Sequence, residues 1–112
     1  MVTLSSEEFE QLVANALDDI PAELLSAMEN VVVQVDDFSP AGNLFGLYQG
    51  VPLTHRGRYS GSMPDRITIF KETICTYCDS PQEVERQVRK TVIHEVGHHF
   101  GIGDARLREL GW

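Results

Sequence analysis

Cysteine is nearly absent from the 112-residue chain, which carries only Cys75 and Cys78. That excludes the disulfide framework on which small secreted domains rest. Positive charge is scarce as well. Nine Lys and Arg stand against 17 Asp and Glu, a formal charge of -8, so the chain lacks the positive footprint that a nucleic-acid partner or an anionic membrane surface needs. Long apolar runs are missing too. The N-terminal stretch MVTLSSEEFEQLVANALDDIP has neither a positive leader nor a continuous apolar core, so neither a secretory signal nor a membrane span is read in it. A cytoplasmic location is expected. No internal repeat or low-complexity tract occurs, and 112 residues of 42% hydrophobic content suit one domain, residues 1–112, with one modest core.

What is present is patterned. Phe9, Leu12, Val13, Ala16, Leu17 and Ile20 recur at helical spacing behind a capping box of Ser5 and Glu8, which predicts an amphipathic helix from about Ser6 to Asp19. Pro21 ends it, and Ala22 to Met28 add a short second helical piece. The β-branched run Val31 to Val35 reads as a buried strand that leaves through the turn-forming residues Asp36 to Gly42. Leu44, Phe45, Leu47 and Tyr48 predict a second strand. Arg66 to Lys71 predict a third, in which Ile67 and Ile69 alternate with polar or exposed positions. Between them Gly50 to Asp65 forms a long loop with local positive charge from Arg56 and Arg58 and room for a short edge strand at Val51 to Thr54. Such a loop serves equally as the wall of a cleft or as a solvated connection. Ser80 as cap, Pro81 at the first helical position and Glu83 in a second capping box then open a long helix. Val84, Val88, Val92, Val96 and Phe100 form one row along it, so it runs to about Phe100. Asp104 to Leu110 read as a short final helix, with Leu110 and Trp112 covering the core.

His94 and His98 lie four residues apart on the long helix, which turns them within about 40° of each other and about 6 Å apart along the axis. Both imidazoles reach one metal ion. Glu95 is turned about 100° from His94, which places its carboxylate beside such an ion rather than on it, where a general base for a metal-bound water belongs. A tetrahedral catalytic zinc takes three protein ligands and keeps one position open, so a third ligand is needed, and Asp104 is the candidate. On an unbroken helix Asp104 would point about 240° from His98 and sit about 9 Å further on. The chain therefore has to stop and fold back, with Gly101 at the reversal and Gly103 adding freedom before the ligand.

The segment HEVGHHFGIGD resembles the extended zincin signature HExxHxxGxx(H/D), with aspartate in the last place where most metzincins have histidine. The stretches LFGLYQGVPLT and MPDRITIFKETI are also similar to those of a family of very short bacterial zincin-like metallopeptidases, so the resemblance covers most of the chain. It implies an α+β fold, a small mixed sheet packed on an N-terminal helix and a long active-site helix with a short C-terminal helix. It implies zinc held by His94, His98 and Asp104, with Glu95 as general base. The expected activity is hydrolysis of a peptide or protein substrate. Zinc lowers the pKa of its bound water from about 15.7 toward about 7 and polarises the scissile carbonyl, while Glu95 takes the water proton and passes it to the leaving amine. Only Ala105 to Trp112 follow the third ligand, so the Met-turn and C-terminal subdomain of larger metzincins are not expected.

Two other functions stand beside hydrolysis. One is a metal- or peptide-binding module that keeps the zincin shell without turnover. The other is a thiol redox module on Cys75 and Cys78, which requires a depressed thiol pKa; two ordinary thiols near a helix start are the plainer account. His99, one turn above Glu95, could tune the base or line the cleft, but the plainer reading is a partly exposed polar residue, and His55 reads as solvated. Tyr48, Tyr59 and Tyr77 read as core residues, and nothing in the sequence selects an oxyanion donor among them.

Overall fold

In the computed structural model, which describes residues 1–55 and 63–112, Ser5 opens the first helix as its neighbours dictate. Its hydroxyl accepts the Glu8 amide at 3.0 Å, and the Glu8 carboxylate accepts the Ser5 amide at 2.9 Å. This reciprocal box satisfies two amides that a helix start leaves orphaned. Helix α1 (Ser6–Asp18) buries Phe9, Val13 and Ala16, and α2 (Ala22–Ala27) follows Pro21. The remaining elements are β1 (Val31–Asp36), β2 (Gly46–Gln49), a 3-10 turn (Leu53–His55), β3 (Asp65–Phe70), α3 (Lys71–Tyr77), α4 (Pro81–His99) and α5 (Asp104–Leu110). The architecture is α+β, as expected.

The sheet has the order β1-β3-β2. β1 runs parallel to β3, with Val31 opposite Asp65 and Asp36 opposite Phe70. β2 runs antiparallel to β3, with Gly46 opposite Ile69 and Gln49 opposite Arg66. A central strand has neighbours on both sides, and this overturns the simple alternation expected for β3. Thr68 and Phe70 are as buried as Ile67 and Ile69, and only Arg66 is exposed. Thr68 tolerates that burial because its hydroxyl accepts the Gln34 side-chain amide at 3.2 Å.

Two local expectations fail for identifiable reasons. Val51 to Thr54 make no edge strand: Pro52 has no amide to offer a ladder, and its carbonyl instead accepts the His55 amide at 2.9 Å, closing the 3-10 turn. Helix α3 was hidden because it grows straight out of β3 with Phe70 at its N-cap and no side-chain cap to announce it. Arg56, Arg58 and Tyr59 lie outside the described residues.

α4 organises the core. Ser80 accepts the Glu83 amide at 3.1 Å, but the Glu83 carboxylate reaches the Asp79 amide at 2.9 Å rather than that of Ser80, so the expected second box is displaced by one residue. Val84, Val88, Val92 and Val96 are fully buried in one stripe against α1 and the sheet, and Phe100 packs partly buried at its end. At about 1.5–3 kcal/mol per buried aliphatic side chain, that stripe is a main holding force. At the C-terminus Leu107 is the buried residue of α5; Leu110, expected to cover the core, is 39% exposed, since it lies on the outer face of the short helix. Among the described residues no helix is long and apolar enough to cross a membrane.

Candidate metal centre

Helix α4 sets the His94 and His98 rings 4.8 Å apart between centroids. The chain then turns back through Gly101, whose φ is +83°. The Gly101 amide donates to the His98 carbonyl at 2.9 Å and the Ile102 amide to the Gly97 carbonyl at 3.0 Å, the paired bonds of a Schellman motif. A side chain at Gly101 would also place a Cβ 2.0 Å from the Thr54 hydroxyl, so the start of the long loop forms a wall at this hinge. Gly103 has an ordinary φ of -78°, so the freedom expected of it is not used.

The turn delivers Asp104 as the first residue of α5. Its Oδ1 lies 2.9 Å from His98 Nε2 and 3.4 Å from His94 Nε2, so one carboxylate oxygen faces both imidazoles. Without a metal, the hydrogen bond from His98, and then the His98 charge, hold the Asp104 carboxyl below the usual carboxylate range. Behind the pair, His94 Nδ1 faces the Trp112 carbonyl at 3.5 Å and His98 Nδ1 faces Glu95 Oε1 at 3.1 Å. Glu95 is buried beside the imidazoles, and the potential ligand atoms of His94, Glu95 and His98 all lie within 4.8 Å of one another. Two imidazole nitrogens and a carboxylate oxygen on one small volume form a donor set that suits zinc, and their outer nitrogens face a carbonyl and a carboxylate, as ligating histidines require.

Two glycines unremarked in the sequence bring the neighbouring elements this close. A Cβ at Gly97 would fall 2.4 Å from Leu107 Cδ2, so its absence lets α5 lie against α4. A Cβ at Gly46 would fall 2.6 Å from Thr91 Cγ2 and 3.3 Å from Glu95 Oε2, so β2 rests its backbone over Glu95. The available signal was positional, since an isolated glycine inside a strand or helix pattern marks close approach.

A cleft of about 420 Å³ opens at His94 and Glu95, between residues 43–46 and one face of α4, with Tyr77 at its side. A larger cavity of about 530 Å³ lies between α1 and the start of α4, around Leu4, Leu12 and Pro81. It holds no imidazole, so donor chemistry rather than size makes the smaller one the candidate site.

Several expectations about single residues are corrected. His99 is fully buried, not partly exposed. Its Nε2 accepts the Glu29 amide at 3.2 Å, so the ring proton sits on Nδ1 and is donated to Asp65 Oδ2 at 2.9 Å. The same carboxylate takes the Tyr48 hydroxyl and, at 3.1 Å, the Val51 amide. Tyr48 is thereby committed to Asp65. This buried network ties the end of α4 to β2 and to the start of β3. Asp65→Ala removes the acceptor that three donors share in the interior and is expected to cost about 3 kcal/mol, lowering the thermal midpoint by about 10 °C. Melting followed by circular dichroism checks it; a shift below about 2 °C would show that the network does not brace the fold. Tyr77 is no core residue either: it is 68% exposed and leans on Phe45 at 5.1 Å between ring centroids. His55 is exposed, as expected.

Cys75, inside α3, and Cys78, at its C-cap, are both free and buried. Burial foremost, and then Glu72 beside Cys75 and Glu83 beside Cys78, push both thiols up. A redox pair needs the opposite.

The chain belongs to the zincin-like metallopeptidase family, whose sequence pattern matches residues 28–112. Membership implies a zinc cofactor. The fold is also similar to that of a conserved hypothetical protein from Thermo thermophilus, with a TM-score of 0.57 and 20% identity over 96% of this chain and 97% of that one. At that identity the likeness concerns the fold alone. No curated protein matches the chain.

Proposed function

We propose that the protein is a zinc-dependent peptidase in which His94, His98 and Asp104 hold the ion and Glu95 is the general base. The observation that carries this is the approach of Asp104 Oδ1 to both His Nε2 atoms, at 2.9 and 3.4 Å, at the end of a glycine hinge. Zinc bound there would supply a Lewis acid that acidifies water and polarises the scissile carbonyl. The chain's own residues do the rest. Glu95 lies under the β2 backbone at the floor of the cleft, where its carboxylate takes a proton from the attacking water and returns it to the departing amine. His98 Nδ1 holds one oxygen of that carboxylate, which fixes its direction. β2 has β3 on one side and no strand on the other among the described residues, so an extended peptide can add to it and be drawn across Glu95.

The test is metal quantitation on the purified protein, with cleavage of a peptide library before and after chelation. One zinc per chain and cleavage abolished by the chelator, then restored by zinc, is the expected result. Zinc-loaded protein that leaves the whole library intact would instead make it a binding module with the shell of a peptidase.

A further inference from the structure

We propose that the cleft selects a substrate carboxylate, held by Lys90 with Arg86 behind it; this rests on the peptidase function above and names what the substrate carries. The cleft at Glu95 does not end at α4. It shares Tyr77, Gln87 and Lys90 with an adjoining cavity of about 430 Å³ that reaches Arg86, so the two make one groove toward the start of the helix. Arg86, Lys90 and His94 follow one another at four-residue intervals, which stacks them on one helix face about 6 Å apart.

Although the chain carries a net charge of -8, the cleft itself is lined by Lys90 with Glu95 as its one carboxylate, while Arg86 lies further along beside Glu83 and Asp79. The three acidic groups of the groove each have a polar neighbour, though Glu83 meets only a neutral amide and keeps its charge. Glu95 faces His98, the Glu83 carboxylate caps the Asp79 amide at 2.9 Å, and Asp79 faces the Met1 ammonium at 3.6 Å. Lys90 and Arg86 are exposed and have no ion-pair partner among the described residues. Arg89, pointing away from the groove, pairs with Asp19 at 2.9 Å and Glu85 at 3.7 Å. Within the cleft at Glu95, Lys90 is therefore the cation without an ion-pair partner among the described residues, and the unpaired Glu83 lies beyond it beside Arg86.

Opposite them the wall is apolar, with Phe45, Leu44 and the exposed Tyr77 ring. An anionic group on an aliphatic stem fits between the two walls. One helical turn of about 6 Å corresponds to about two residues of an extended peptide at about 3.3 Å each. The favoured carboxylate thus sits about two residues from the bond that is cut. An aspartate or glutamate side chain supplies it, and so does the peptide's own C-terminus when the cut is close to the end.

The experiment uses zinc-loaded protein and fluorogenic peptides matched in pairs. Glu replaces Gln at each of three positions on either side of the cleaved bond, and a further pair ends in a free acid or an amide. A Glu-over-Gln ratio in kcat/KM of about fivefold is expected at one position two residues from the bond, the size of an exposed charge pair. That ratio should shrink in high salt, fall to near one in Lys90→Ala, and invert in Lys90→Glu. Affinities of the uncleaved pairs for the Glu95→Gln variant should rank in the same order. If only the free-acid arm responds, with the same dependence on Lys90, the chain terminus is the source of the carboxylate. Equal cleavage of every pair, or a preference that survives Lys90→Glu, overturns the proposal and leaves hydrolysis standing. Lys90-dependent binding of the Glu peptides with no cleavage of any kind would keep carboxylate recognition and end the peptidase assignment.

Discussion

Glu95→Gln is expected to lower peptide hydrolysis by about 10²–10⁴-fold, the usual contribution of a positioned acid–base group, while zinc content stays unchanged. The substitution isolates chemistry from structure for a reason visible in the contacts. Glu95 is buried against Gly46 and Thr91 and accepts from His98 Nδ1 through Oε1. A glutamine fills the same volume and its amide oxygen can accept that same bond. Only the capacity to take up a proton is lost. Steady-state kinetics with elemental analysis separate the outcomes. Full activity would remove Glu95 from the role of base, and joint loss of zinc and activity would show that its contribution is to hold His98.

Asp104→Ala is expected to weaken zinc retention by at least about 100-fold, because even groups that merely support metal ligands contribute about 10–100-fold. The fold should survive. Asp104 is 68% exposed, its contribution to the start of α5 is that of one acidic residue in a first turn, and Leu107 anchors the helix independently. Competition with a chelator of known affinity reads the loss directly, and circular dichroism confirms that the helices remain. Unchanged retention would strike Asp104 from the ligand set.

Those experiments concern a part of the chain that was unusually legible. The Ser5 and Ser80 caps, the valine row of α4 and the left-handed Gly101 are local features, decided by residues within a turn or two of one another, and each stands where its sequence places it. Contacts between distant segments were not legible. Periodicity marks Ile67 and Ile69 as inward, but it does not say that β3 lies between β1 and β2, and this is why Thr68 was misjudged. His99 follows a ligand candidate and carries no mark of its own; its burial depends on Asp65, 34 residues away. Gly97 and Gly46 are unremarkable until Leu107 and Glu95 arrive opposite them. The groove charges escaped for a related reason, since an unpaired lysine is recognised only when the positions of all carboxylates are known.

The packing of α1 on α4 also sets an order of events. The apolar face of α1, with Phe9 and Val13, packs chiefly on α4, which starts about sixty positions after α1 ends. Ribosomal synthesis delivers those residues after every strand has emerged, so the early part of the chain stays wet and uncommitted in the meantime. Closure then comes as one late, long-range step, slowed by the entropy of bringing such separated segments together. The imidazole pair rides on the segment that completes that step, so the candidate site and the cover of α1 arrive together.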